Sequence, residues 1–169
     1  MNHKLIEKAT TFATEAHKNQ VRRLEGGPYS QHPIRVAKLV TTIEGWTEIH
    51  VAAALLHDVV EDTPITIETI EQEFGMFVGE LVFELTDTLR QPGENRAKHK
   101  ARELELWPNK STWAQNIKCC DVIDNSESII RLDPDFAVVY CKEVMRMLQV
   151  FDKADKNILE RAIKSITYP

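Results

Sequence analysis

Four titratable side chains crowd the end of one apolar stretch: Ala52-Ala53-Ala54-Leu55-Leu56 runs directly into His57-Asp58-Val59-Val60-Glu61-Asp62. On a helix, residues four apart are neighbours at about 5–6 Å between Cβ atoms, so His57 stacks with Glu61 and Asp58 with Asp62. One face then carries an imidazole and three carboxylates. Such a group repels itself, and burial would raise its carboxylate pKa values, unless something positive sits among them. A divalent metal resolves the conflict, with imidazole nitrogen and carboxylate oxygen as ligands and a further carboxylate ready to accept a proton. Taken singly, His57 reads as a hydrogen-bonded core histidine and Asp58 or Glu61 as a solvated helix residue. The combination is what points to chemistry.

An adjacent His-Asp pair does not complete a metal site, so further ligands must come from other rigid elements. His32 precedes Pro33 in Tyr29-Ser30-Gln31-His32-Pro33, at the expected start of a helix, where its position is well fixed. Asp121, within Ile117-Lys118-Cys119-Cys120-Asp121-Val122-Ile123-Asp124-Asn125, is a charge inside an otherwise apolar helical segment, and buried charges are paired or ligating. His32, His57, Asp58 and Asp121 together offer two nitrogens and two oxygens. Alone, His32 reads as a surface residue and Asp121 as a structural partner for Lys118 or Arg131. His3, His17, His50 and His99 lack such company and read as structural or solvent-facing.

The elements that must position these residues are helices. No glycine follows Gly93, and the chain beyond it is interrupted internally only by Pro108 and Pro134. Phe136, Tyr140, Val144, Met147, Leu148 and Phe151 share one helical face, and Asp133-Pro134 supplies an N-cap followed by proline at the first helical position. Further helices are expected at about 2–18, 33–43, 48–60, 67–74, 76–88, 94–106, 111–129 and 155–167. No stretch alternates convincingly enough to be a strand. Glu25-Gly26-Gly27-Pro28, Thr63-Pro64, Gln91-Pro92-Gly93 and Trp107-Pro108 punctuate the chain, and none is long enough to link domains. A single all-α domain over residues 1–169 is the expectation.

Composition narrows the function classes. A chain of 169 residues with 43% hydrophobic content buries one core and has no room for a second catalytic domain. A formal charge of −5 argues against broad nucleic-acid or anionic-membrane binding, both of which rest on a basic surface field. The opening residues Met1 to Glu7 lack the apolar core of a signal peptide, and the run Val51 to Leu56 is too short to span a bilayer. Three cysteines, Cys119, Cys120 and Cys141, form an odd count without Cys-x-x-Cys spacing, which fits a reducing compartment. A soluble, cytoplasmic protein with a small-molecule ligand follows; the oligomeric state is not legible.

The order His32, His57-Asp58, Asp121 resembles that of the HD-domain phosphohydrolases. More closely, the chain is similar to the alarmone hydrolases, the hydrolase half of the RelA/SpoT proteins and their stand-alone relatives, which remove pyrophosphate from the 3′ position of (p)ppGpp. The matching segments are His17 to Arg23, Pro28-Tyr29 through His32-Pro33, Ala53 through Thr63, Phe74-Gly75, Leu85-Thr86-Asp87, Asn95-Arg96, and Lys118 through Asn125. The resemblance implies a helical bundle of the HD type. It also implies that His32, His57, Asp58 and Asp121 hold one Mn²⁺, with Glu61 and Asp62 positioning and deprotonating the attacking water. Mixed imidazole and carboxylate ligation suits Mn²⁺ or a related divalent ion, with zinc, iron and nickel as alternatives.

By the same resemblance, Arg22 and Arg23 stand where the family sets basic side chains against the nucleobase, and a guanidinium stacks on a ring as well as binding phosphate. Arg96 and Lys100, in a basic stretch with Arg90, Lys98 and Arg102, are candidates for the polyphosphate, and Asn125, one turn beyond Asp121, for the ribose or phosphate region. The chain departs from the family where a basic residue is usual after the metal-binding aspartate: it reads Asp121-Val122-Ile123-Asp124-Asn125-Ser126-Glu127. A longer stretch, Leu104 to Pro108, also follows the basic segment. These departures leave two rivals. One keeps the site and changes the substrate to another nucleotide, such as NADPH or a deoxynucleotide. The other is a metal-stabilised helical module that senses nucleotides without turning them over, against which an intact Glu61 and Asp62 argue.

Overall fold

A computed structural model of the chain describes residues 3–167, and these form ten α-helices, one 3-10 turn and no strand; an isolated antiparallel bridge joins Val21 to Pro28. The all-α expectation holds. The backbone divides into two compact units, up to Thr86 and from Asp87 onward.

In the first unit, α1 (His3–Ala16), α2 (Gln31–Val40), α3 (Glu48–Leu56), α4 (Val59–Asp62), α5 (Ile67–Phe74) and α6 (Met76–Leu85) surround a core organised on α3. The expected first residue of the opening helix, Asn2, lies outside the described residues. Every α3 residue from Val51 to Leu56 is buried, because α1, α2 and α6 each pack against a different side of it. A helix enclosed on all sides must be apolar all round, and the small side chains of Ala52, Ala53 and Ala54 let its neighbours approach closely. Burying Leu56 completely contributes about 1.5–3 kcal/mol. Its N-terminus is closed by a capping box: Thr47 receives the His50 backbone N–H, and the Thr47 N–H donates to His50 Nδ1 at 3.0 Å. Phe12 meets Phe74 edge-on at 5.2 Å, joining α1 to the end of α5. The α5–α6 corner turns on Gly75, whose φ of +88° is costly for any residue with a Cβ.

The helix expected over 48–60 is two helices. His57 Nδ1 donates to the Ala54 carbonyl at 2.8 Å, occupying an acceptor that a continuous helix would give to a backbone N–H, and α3 ends at Leu56. A single turn, α4, resumes at Val59, and the Asp62 N–H bonds the Asp58 carbonyl at 2.9 Å, so Asp58 and Asp62 remain one turn apart.

The second unit contains α7 (Arg96–Leu106), the 3-10 turn Trp107–Asn109, α8 (Thr112–Leu132), α9 (Pro134–Leu148) and α10 (Lys156–Thr167). Asn95, Ser111 and Asp133 cap α7, α8 and α9 through side-chain acceptors, and Pro134 takes the first position of α9 as the sequence indicated. α8 packs on both α9 and α10. Two adjacent buried amides on α8 hold irregular backbone: Gln115 donates to the Trp107 carbonyl and accepts the Lys153 N–H, and Asn116 accepts the Asp155 N–H. Trp107 is buried and stacks at a tilt on Phe151 at 4.8 Å. Among the described residues, no helix is long and apolar enough to cross a membrane.

Candidate metal centre

In the first unit, His32 lies in the opening turn of α2, with its N–H bonded to the Tyr29 carbonyl at 3.0 Å and its side chain 1% exposed. His57 caps the C-terminus of α3, and Asp58 opens α4. Two stretches of the chain thus bring three potential donor atoms to one place: one nitrogen or oxygen atom each from His32, His57 and Asp58, all within 4.8 Å of one another. His57 Nε2 is 3.1 Å and His32 Nε2 3.5 Å from Asp58 Oδ2, and the two imidazole rings meet edge-on at 5.2 Å.

The donor set fits a divalent ion. Donation from His57 Nδ1 to Ala54 places a proton on Nδ1 and turns Nε2 toward Asp58 and His32. Burial works against the Asp58 carboxylate, but the charge and hydrogen bonds of His57 and His32 outweigh it and hold its pKa well below the usual range. The shift favours the ionised carboxylate, the form that binds a metal.

Asp62 behaves in the opposite way. Partial desolvation beside the cluster, then the negative charge of Asp58, raise its pKa, against lowering by a hydrogen bond from Tyr29 and by His17 and His57. A carboxylate lifted in this manner is a better proton acceptor than an ordinary one. Glu61 sits beside it in α4, and both residues are exposed.

Tyr29, notable in the sequence only for its place before His32, donates its hydroxyl to Asp58 Oδ2 at 2.6 Å. Its ring rests against His17 at 4.7 Å, and the Arg22 guanidinium lies over it at 5.8 Å. Arg22 is partly buried, with Nε 3.7 Å from Glu25; Arg23 is exposed. His17, which reads as structural from sequence, is 1% exposed in this cluster. The signal that could have found Tyr29 is its spacing, three residues before His32.

The second unit holds the other predicted residues. Asp121 is buried on α8, and both its oxygens accept hydrogen bonds from the same helix face: Lys118 Nζ at 2.8 Å and Asn125 Nδ2 at 2.5 Å. A cavity of about 260 Å³ in this unit is lined by Asp121, Asn125, Arg96 and Lys100, together with Asp87 and Tyr140. Arg96 forms a two-armed ion pair with Glu143, at 3.1 and 2.6 Å, and Lys100 bonds Asp87 at 2.6 Å. Burial opposes ionisation of Asp87, but Lys118 and Lys100 prevail and lower its pKa. Both candidate cations are thus already matched by carboxylates.

The sequence pattern of the HD domain matches residues 9–109. The Mus musculus protein guanosine-3′,5′-bis(diphosphate) 3′-pyrophosphohydrolase MESH1 is 40% identical over 128 residues, which is 75% of this chain and 70% of the mouse protein. The GTP pyrophosphokinase rsh of Brucella melitensis is 36% identical over 118 residues, 70% of this chain and 14% of that much longer protein. Among solved structures, a metazoan ortholog of SpoT that hydrolyses ppGpp matches with a TM-score of 0.85 and 26% identity, over 96% of this chain and 93% of its own.

Proposed function

The chain belongs to the HD-domain family, and from that membership we propose that it is a metal-dependent hydrolase that removes pyrophosphate from the 3′ position of (p)ppGpp. The observation that carries the reading is the convergence of His32, His57 and Asp58 beside a carboxylate, Asp62, whose pKa is raised. The order His, His-Asp, Asp assigns the fourth ligand to Asp121, and on that assignment residues 1–169 act as one hydrolase domain. Mn²⁺ is the ion proposed, since mixed imidazole and carboxylate ligation suits it. When bound, a divalent ion lowers the pKa of a coordinated water and stabilises charge on the phosphoryl oxygens.

The chain's own residues supply the rest. His57, locked by its bond to Ala54, and His32, fixed in the first turn of α2, present neutral nitrogens. Glu61 orients the attacking water, and Asp62 takes its proton. Arg22 and Arg23 receive the base, Arg96 and Lys100 the phosphates, and Asn125 the ribose or phosphate region. The existing pairs Arg96–Glu143 and Lys100–Asp87 keep those cations ordered before an anion arrives. A cytoplasmic location accords with the three cysteines, all of which are free thiols.

The test is incubation of the purified protein with Mn²⁺ and a nucleotide panel, with products resolved by chromatography. Release of pyrophosphate from (p)ppGpp is expected. Orthophosphate release, or turnover confined to NADPH or a deoxynucleotide, would replace the substrate; absence of turnover across the panel would reduce the protein to a nucleotide-binding module.

A further inference from the structure

We infer that Tyr29 is a positioning residue for the metal-holding Asp58, and that Gln20, whose main chain carries Tyr29, sets its distance from the proton-accepting Asp62. The inference deepens the hydrolase reading and rests on it for the roles of the two aspartates. Its geometry is independent of that reading. The Tyr29 hydroxyl donates to Asp58 Oδ2 at 2.6 Å, and the Asp62 main chain is held from the same loop by Gln20. Two carboxylates one turn apart repel each other. A phenol beside Asp58 offers its one donor without adding charge, so it holds that oxygen in place and leaves the site's net charge to the metal.

The phenol is itself held from several directions. Its backbone N–H bonds the Gln20 carbonyl at 3.1 Å, next to the bridge between Val21 and Pro28. The Gln20 side chain reaches the other partner, its Nε2 donating to the Asp62 carbonyl at 2.8 Å. That donation orients the amide so that Oε1 faces His17, and His17 Nδ1 completes the chain as donor at 2.6 Å. The buried His17 ring then supports the face of Tyr29 at 4.7 Å, and His32 meets its edge at 5.8 Å. One residue, Gln20, thus anchors Tyr29 by its main chain and Asp62 by its side chain. The loop between α1 and α2 acts as a template for the relative placement of the metal ligand and the base.

The experiment compares the full chain with Tyr29→Phe and Gln20→Ala, reading Mn²⁺ affinity by isothermal titration calorimetry, kcat and KM on (p)ppGpp at saturating Mn²⁺, and Tm. Removing a partner of a metal ligand typically costs about 10–100-fold in affinity or activity. For Tyr29→Phe, the Mn²⁺ Kd is expected to rise by that factor, and kcat to fall about tenfold even at saturating metal, with KM unchanged within about twofold. Gln20→Ala releases the Asp62 carbonyl and leaves the Asp58 oxygen alone, so it should lower kcat at an unchanged Mn²⁺ Kd. A role confined to folding would lower Tm and leave both the Kd and the kcat-against-KM split as in the parent. Tyr29→Phe matching the parent in Mn²⁺ Kd and kcat overturns the inference while the hydrolase reading stands. A parent that binds Mn²⁺ but turns over no nucleotide ends the hydrolase reading, and weaker binding by Tyr29→Phe would still support the tie to Asp58. Should Tyr29→Phe fail to fold, a Gln20→Ala variant with unchanged kcat overturns the template role.

Discussion

Acidification should loosen the helix that carries His57, and the size of the effect follows from the cap at its other end. The Thr47 N–H donates to His50 Nδ1, an arrangement open only to a neutral ring, and burial pushes the His50 pKa from its ordinary 6.5 down to about 4. The folded chain therefore resists a proton that the unfolded chain accepts. Between pH 6.5 and about 4 the unfolded state binds more protons, so stability falls as pH falls through this window and is fully present above it. The whole difference between those two pKa values corresponds to about 3 kcal/mol. Because the ring is partly exposed, solvent screening leaves about 1–2 kcal/mol, close to the value of a helix N-cap. Urea denaturation of the parent and of His50→Gln at pH 7 and pH 4.5 isolates this contribution, since glutamine keeps a side-chain acceptor that does not titrate. The parent should lose about 1–2 kcal/mol more than the variant over that interval. Equal losses, or a His50 pKa near 6.5 by NMR titration, would refute the account.

Replacing the two carboxylates of α4 together, Glu61→Gln with Asp62→Asn, should leave Mn²⁺ binding within a few-fold and cut kcat by about 10²–10⁴, the usual worth of general-base catalysis; unchanged turnover removes the water-activation role. Asp121→Ala should abolish metal binding and activity together, as calorimetry and product analysis will show, and a variant that keeps the parent's Mn²⁺ affinity removes Asp121 from the ligand set. Thiol labelling of the native protein at pH 8 should modify Cys141 first: burial raises all three thiol pKa values, that of Cys120 to about 12 and that of Cys119 further, and only Cys141 is partly exposed. Fast reaction at Cys119 or Cys120, located by peptide mass spectrometry, contradicts that burial.

What could be read from sequence was whatever local chemistry specifies. The helix over Ile67–Phe74 matched its expected bounds because a threonine cap precedes it and glycine ends it. The clustering of His32, His57 and Asp58 was legible in part, because crowded titratable groups beside an apolar helix demand an explanation. The break between α3 and α4 was not, since it depends on where the His57 ring finds its acceptor, and the hydrophobic period carries no record of that bond. Long-range partners were equally invisible. Arg96 meets Glu143 from 47 positions away, and Glu103, on a helix that looks solvated throughout, is buried to receive the Thr88 N–H and hydroxyl. Tyr29 illustrates the same limit: its spacing to His32 is plain, but its function depends on Gln20 and His17 folding back beneath it.

The paired amides of Gln115 and Asn116 carry a different implication. Both grip main-chain N–H groups, those of Lys153 and Asp155, and Gln115 also grips the Trp107 carbonyl. Peptide groups are common to every amino acid, so the path of the 152–155 connection is dictated from inside α8 and its surface side chains are left open to drift. Exchanges in that connection should be tolerated as long as the two amides survive, whereas loss of either would leave a partly buried backbone donor without its partner, at a cost of about 1 kcal/mol apiece.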